Sequence, residues 1–176
     1  LTGHTNSPSR RFRGFGVKGM LRAAKNVPNT MLFNVLSFTS DKLLTVGNTV
    51  SALDELYIWL SNPTAIEYIR NCLKRVRKKE SAMLLASQNL EDFDQEGVRE
   101  MTKPLFSIPP HQFLFNAGSI DKRSYMDMLQ LEESEYNLIK FPQRGVCLYK
   151  CGNERYLLEV HAPAYKEKLF GSAGGR

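Results

Sequence analysis

Apolar residues recur along this chain in two rhythms, and the change from one to the other marks its elements. Leu32, Val35, Leu36 and Phe38 follow the start signal Pro28-Asn29-Thr30 and give the broad apolar face of a helix covering a sheet. Gly47-Asn48 is a turn signal, after which Thr49 to Leu53 reads as a strand. Asn62 as cap and Pro63 at the first helical position open a second helix, in which Ile66, Ile69, Leu73 and Val76 form one stripe. Ser81 to Ser87 is an almost unbroken apolar run, which predicts a parallel strand covered on both faces.

Beyond that strand, Glu91 to Gly97 is an acidic cap to a helix over Val98 to Leu105, and Pro109-Pro110 closes the segment. Gln112 to Phe115 predicts a short strand. Asp121 to Leu129 and Glu132 to Lys140 predict two helices, the second stopped by Pro142. Gly145 to Lys150 and Glu154 to Val160 alternate as a hairpin around Cys151-Gly152-Asn153. Met20 to Lys25 has room for one or two helical turns. The organisation expected is a flexible basic segment over residues 1–19, a folded unit over 20–165 and a loose tail over 166–176.

Composition narrows the class. A chain of 176 residues that is 42% hydrophobic can bury one proper core. No apolar run approaches the ~20 residues that span a bilayer, and no basic-then-apolar leader is visible. The net charge of +6 is unevenly placed: all 18 carboxylates lie from Asp41 onward, where they balance the basic residues. The excess therefore belongs to the first forty residues, which suits either a polyanion-facing segment or a solvated end. Three cysteines, Cys72, Cys147 and Cys151, do not make a disulfide framework and suit a reducing cytoplasm. Cys147, Cys151 and His161 fit no zinc spacing, so buried thiols packing as small hydrophobes are expected.

The candidate chemistry sits where the two central apolar runs end. The first ends in Asp54-Glu55 and the second in Ser87-Gln88, with Arg75, Arg77 and several lysines on the intervening helix. In open α/β sheets ligands bind beyond the carboxyl ends of strands, where Asp54, Glu55 and Gln88 would lie. An aspartate there can hold Mg²⁺ through its waters, a neighbouring acid can polarise a water, and a neutral amide can sense a terminal phosphate. The bland reading is that such acids cap the next element and that the basic run complements the helix dipole. Gly14 to Gly19 is no phosphate loop, since it lacks the G-x-x-x-x-G-K-S/T spacing and a preceding strand.

Taken in order, these pieces resemble the carboxyl-terminal part of the conjugation and type IV secretion ATPases of the VirB/TraC/TraE kind, from about Met20 onward. Leu53-Asp54-Glu55-Leu56 is similar to the family's Walker B motif, the segment Arg75 to Lys79 to its arginine-lysine helix motif, and Ser87-Gln88 to its Thr-Gln or Ser-Gln motif. Leu131 to Ile139, Pro142-Gln143-Arg144-Gly145 and the hairpin from Cys147 to Tyr156 look like its closing segment. Where the family often carries an asparagine before its next strand, this chain has Ser107-Ile108-Pro109-Pro110.

The resemblance implies an α/β fold: a RecA-like P-loop NTPase core with a mostly parallel sheet flanked by helices, incomplete on its N-terminal side and ending in a β-hairpin. It implies ATP and Mg²⁺ as cofactors, with Asp54 serving the metal, Glu55 the lytic water and Gln88 the γ-phosphate. Arg75 or Arg77 would reach a phosphate across a subunit interface. It also implies a ring, hexameric, or a dimer, with other secretion and conjugation proteins as partners at the inner face of the cytoplasmic membrane, and DNA as a possible one. No Walker A loop exists in the chain, so it is expected to be a fragment or a remnant that does not hydrolyse ATP alone. The alternative is a non-catalytic basic module that binds DNA or protein in the same machinery. Against DNA, the sequence shows no nucleic-acid motif and no aromatic-basic interleaving on a strand. A third, structural reading has Asp54 and Glu55 merely capping a helix.

Overall fold

The structure is a computed structural model that describes residues 11–16, 26–60, 62–88, 90–95 and 97–171. The helical turns expected at Met20 to Lys25 lie outside the described residues. Helix α1 runs from Asn26 to Asp41 and continues as a π-helical turn, Lys42–Val46. It starts before Pro28 because a proline in the first turn forfeits no helical hydrogen bond. Leu32, Leu36 and Leu43 bury its inner face. Outside it, Phe15 meets Phe38 edge-on at 5.6 Å, and the Arg13 guanidinium stands 5.0 Å from the centre of the same ring.

Strands β1 (Val50–Leu53) and β2 (Ala82–Leu85) pair in parallel, Val50 opposite Ala82 and Leu53 opposite Leu85. The crossover is helix α2, Pro63–Arg75, followed by a 3₁₀ turn, Val76–Lys79. The Asn62 side chain accepts from the backbone N–H groups of Thr64 and Ala65, so the predicted cap closes two of the helix's orphan donors. Ile66, Ile69 and Val76 are buried as the stripe predicts, joined by Ala65 and Cys72. At the foot of β1, Gly47 (φ 77°) brings the chain so close to Lys79 that a Cβ would lie 2.8 Å from its carbonyl oxygen. A glycine is needed at that contact.

Two expectations are corrected here. β2 is not covered on both faces. Val50 and Leu84 are 72% and 63% exposed, and with Ala52 and Ala82 they form one open apolar face, while Leu53, Met83 and Leu85 pack inward. Nor is the sheet mostly parallel. Among the described residues, parallel pairing is confined to β1 and β2, the pair joined by a crossover helix. The remaining strands, β3 (His111–Leu114), β4 (Val146–Cys151) and β5 (Glu154–Glu159), form a separate antiparallel sheet in the order β3-β4-β5. The tight turn Gly152-Asn153 leaves β4 and β5 no other pairing than antiparallel.

Helix α3 (Arg99–Ser107) links the two sheets, and α4 (Lys122–Leu129) and α5 (Glu133–Ile139) cover the second one. Asp121 caps α4, and Glu132 with Glu135 forms a capping box on α5. One core gathers Leu36, Leu53, Leu56, Trp59, Ile66 and Phe93; another gathers Leu114, Tyr125, Leu129, Ile139 and Leu148. Leu90, Phe106 and Met128 pack against both. The tail expected to be loose carries one more helix, α6 (Ala164–Phe170), none of whose residues is buried. Its start follows Pro163, and Gly171 at φ 78° ends it, so local chemistry forms the helix without a packed face.

Candidate functional site

The site is built at the carboxyl ends of β1 and β2. Pairing continues past the strands: Ala86 N–H donates to Leu53 O at 2.9 Å, and Leu56 N–H donates to Ala86 O at 2.9 Å. Buried Leu56 and Trp59 then anchor a 3₁₀ turn, Leu56–Trp59, so the chain cannot move away after Leu53. Glu55 takes a left-handed conformation (φ 53°, ψ 54°) to make that corner. Its N–H donates to Asp54 Oδ1 at 2.9 Å, and its Oε1 accepts from Gln88 Nε2 at 2.8 Å. Asp54 and Gln88 are exposed and Glu55 is half-buried, so the cluster opens to solvent. Beside it the Ser87 hydroxyl is buried without a hydrogen-bond partner. Asp54, Glu55 and Gln88 are thus brought together as the sequence suggests.

Arg75 and Arg77 are not brought to them within one chain. Arg75 ends α2 and Arg77 stands in the following turn, both exposed. That turn sits at the opposite, amino-terminal ends of the strands, where Asn48 N–H donates to Lys79 O at 2.9 Å and Thr49 N–H to Ser81 Oγ at 3.2 Å. A parallel pair joined by a crossover helix requires this separation, because the helix must return the chain to the starting edge.

Among the described residues no group of three or more His, Cys, Asp or Glu side chains could cage a metal ion. The donor set at Asp54 nonetheless fits Mg²⁺, which keeps several waters and needs only one or two carboxylates plus substrate phosphates. A Ca²⁺- or zinc-like cage does not fit it. The three cysteines are free thiols; Cys72 and Cys147 are buried, and burial pushes both thiol pKa values up, opposed at Cys72 by the Ser40 side chain and more weakly by Arg75.

Two arrangements escape a reading of single strands. His111, Phe113, Tyr149 and Tyr156 stack on the outer face of the second sheet, Phe113 and Tyr149 with centroids 4.7 Å apart. On the inner face, Gln112, Lys150 and Arg155 stand in one cross-strand row. Neither shows in full in the sequence, since β3 joins the β4–β5 hairpin from nearly forty positions upstream and only the register unites them.

No protein-family model matches the chain. Over 101 residues, 56% of its length, it is 35% identical to a probable conjugal transfer protein of Sinorhizobium fredii, TrbE, of which it covers 15%. The fold superposes on VirB4 of Thermoanaerobacter pseudethanolicus with a TM-score of 0.76 and 28% identity, over 88% of this chain and 42% of that one. The chain is thus similar to part of a conjugal transfer protein and, in fold and sequence, to part of VirB4. It spans 15% of the length of the first and 42% of the second, less than half of either. No helix among the described residues is long and apolar enough to cross a membrane.

Proposed function

We propose that this chain forms the Walker B and glutamine-sensor side of an ATP-hydrolysing site, within the carboxyl-terminal part of a RecA-like P-loop ATPase domain serving conjugative DNA transfer or type IV secretion. The observation that carries the reading is the Gln88 to Glu55 hydrogen bond between the ends of two parallel strands. Strand pairing places an acid pair and an amide on one edge, which is what water activation beside a terminal phosphate requires. ATP with Mg²⁺ supplies the phosphoryl group and the charge neutralisation when bound. Asp54, exposed and with its Oδ1 accepting from Glu55 N–H, would hold the metal through its waters. Glu55 would be the group to take a proton from an attacking water, and Gln88, now bonded to Glu55, would be the amide available to a phosphate oxygen.

Arg75 and Arg77 lie too far round the sheet to reach this edge in their own chain, so a phosphate contact from either belongs to a neighbouring subunit of a ring, hexameric in this reading, or of a dimer. Residues 20–165 would then be the ATPase part, with the basic segment 1–19 before it. The partners are other proteins of the transfer machinery at the inner face of the cytoplasmic membrane. The 176 residues hold no Walker A loop, so turnover requires phosphate-cradling residues from outside them. The test is Glu55→Gln in the longer protein that carries such a loop. ATP binding should stay nearly intact while hydrolysis falls by about tenfold or more. Unchanged turnover would reduce Glu55 to a corner residue of the fold.

A further inference from the structure

A strongly basic surface lies at the amino-terminal ends of β1 and β2, opposite the Asp54 edge. Two turns meet there. Buried Leu43 packs with Cys72 and Val76, and Asn48 N–H donates to Lys79 O at 2.9 Å. The π-helical turn Lys42–Val46 and the 3₁₀ turn Val76–Lys79 are thereby held side by side. Lys74, Arg75, Arg77, Lys78 and Lys79 are all exposed. A third segment joins them through Phe38. Phe15 meets that ring edge-on, and the Arg13 guanidinium and Lys42 ammonium stand 5.0 and 5.6 Å from its centre. The stretch from Arg11 to Gly16 is therefore laid beside Lys42.

Negative charge does not match this surface. The carboxylates on its two turns are Asp41 and Glu80, and Glu67 lies two helical turns back from Lys74 along α2. Among the described residues, no ion pair holds Lys42 or any cation from Lys74 to Lys79. The dipole of α2 accounts for Lys74 and Arg75 in its last turn, since that effect fades within a turn. It does not account for Lys42, or for Arg11 and Arg13 in a separate segment.

Apolar side chains stand among the cations. Phe12 is 89% exposed between Arg11 and Arg13, Val46 is 63% exposed at the end of its turn, and Phe15 is half-exposed. An aliphatic side chain such as Val46 gains nothing from a phosphodiester backbone. At a bilayer interface, apolar side chains enter the boundary between headgroups and acyl chains while the cations around them meet anionic headgroups. We infer that this end of the fold docks on an anionic phospholipid surface, with Phe12, Phe15 and Val46 entering the headgroup boundary. Docking there turns the Asp54–Glu55 edge away from the bilayer. The inference deepens, and rests on, the place at the membrane face proposed above, and it requires no ATP hydrolysis. Nor does it depend on Arg75 or Arg77, which have a proposed role already.

The experiment is flotation of the 176-residue chain with vesicles of equal parts phosphatidylglycerol and phosphatidylcholine, and with phosphatidylcholine vesicles alone. Single-stranded and duplex DNA oligonucleotides are titrated in parallel at the same salt. Binding to the anionic vesicles should be about tenfold or more tighter than to the neutral ones, and should fade as salt rises. The pair Lys78→Ala and Lys79→Ala should weaken it by about tenfold or more, and Phe12→Ser by about threefold or more. All three side chains are exposed, so both variants should unfold at the wild-type urea midpoint. Equal affinity for the two vesicle types, no vesicle binding, or undiminished vesicle binding in either variant would overturn the inference. So would DNA binding tighter than vesicle binding and weakened by the same variants, which would assign the surface to nucleic acid. None of these outcomes bears on the Glu55→Gln assay, so the ATPase reading stands or falls apart from them.

Discussion

Gln88 Nε2 donates to Glu55 Oε1 at 2.8 Å across 33 positions of sequence, and it is the side-chain bond joining the ends of β1 and β2. Under the proposed function the two are members of one site, and their bond predicts coupled effects. In the longer protein, Gln88→Ala should lower ATP turnover by about tenfold or more, and the double variant Glu55→Gln with Gln88→Ala should fall little below the worse single one. Steady-state hydrolysis assays decide it. Losses that multiply would show the two side chains acting independently.

The Asn62 cap gives a stability prediction free of any functional reading. Its Oδ1 accepts from Thr64 N–H at 3.0 Å and Ala65 N–H at 3.3 Å. Asn62→Ala should cost about 1 kcal/mol. The urea midpoint should fall with the slope of the transition unchanged, since no extra surface is exposed.

The two faces of the parallel sheet should respond oppositely to truncation. Ile66 is 1% exposed and packs beneath β1, so Ile66→Ala should destabilise by about 2–5 kcal/mol. Leu84 stands on the open face at 63% exposure, and Leu84→Ser should change stability by about 0.5 kcal/mol or less. Equal losses in equilibrium unfolding would mean that the open face is covered in solution.

The thiols predict both reactivity and pH dependence. Half-exposed Cys151 should react with a disulfide reagent in the native chain, and Cys72 and Cys147 only as the fold opens. For the buried pair the folded pKa lies above the unfolded value. Each therefore keeps its proton longer when native. Their contribution is complete below the unfolded thiol pKa and fades as pH rises through the raised one. Cys147→Ala should flatten the loss of stability above about pH 9; an unchanged slope in urea titrations would contradict this.

What the sequence makes legible is what local chemistry decides. Asn62-Pro63 announces its helix because a cap and a fixed φ act within one turn. Asp54, Glu55 and Gln88 could be placed on one edge because parallel strands of equal length end together. The open face of Val50 and Leu84 was not legible, since an apolar run reads the same whether or not anything lies over it. The rows Phe113-Tyr149-Tyr156 and Gln112-Lys150-Arg155 depend on the register of β3, β4 and β5, which no single strand encodes. Buried Lys150 is the plainest case: in sequence it looks like any polar residue in an alternating strand.

The left-handed backbone of Glu55 sets stability against usefulness at a single position. A side chain with a Cβ held at φ 53° costs roughly 1 kcal/mol or more relative to glycine. Selection for robustness alone would therefore drift position 55 toward glycine, and a stabilised library of this chain should be enriched in Glu55→Gly. That substitution would leave the corner intact and remove the carboxylate, so under the proposed function the sturdiest descendants of this sequence would be those least able to act on a water.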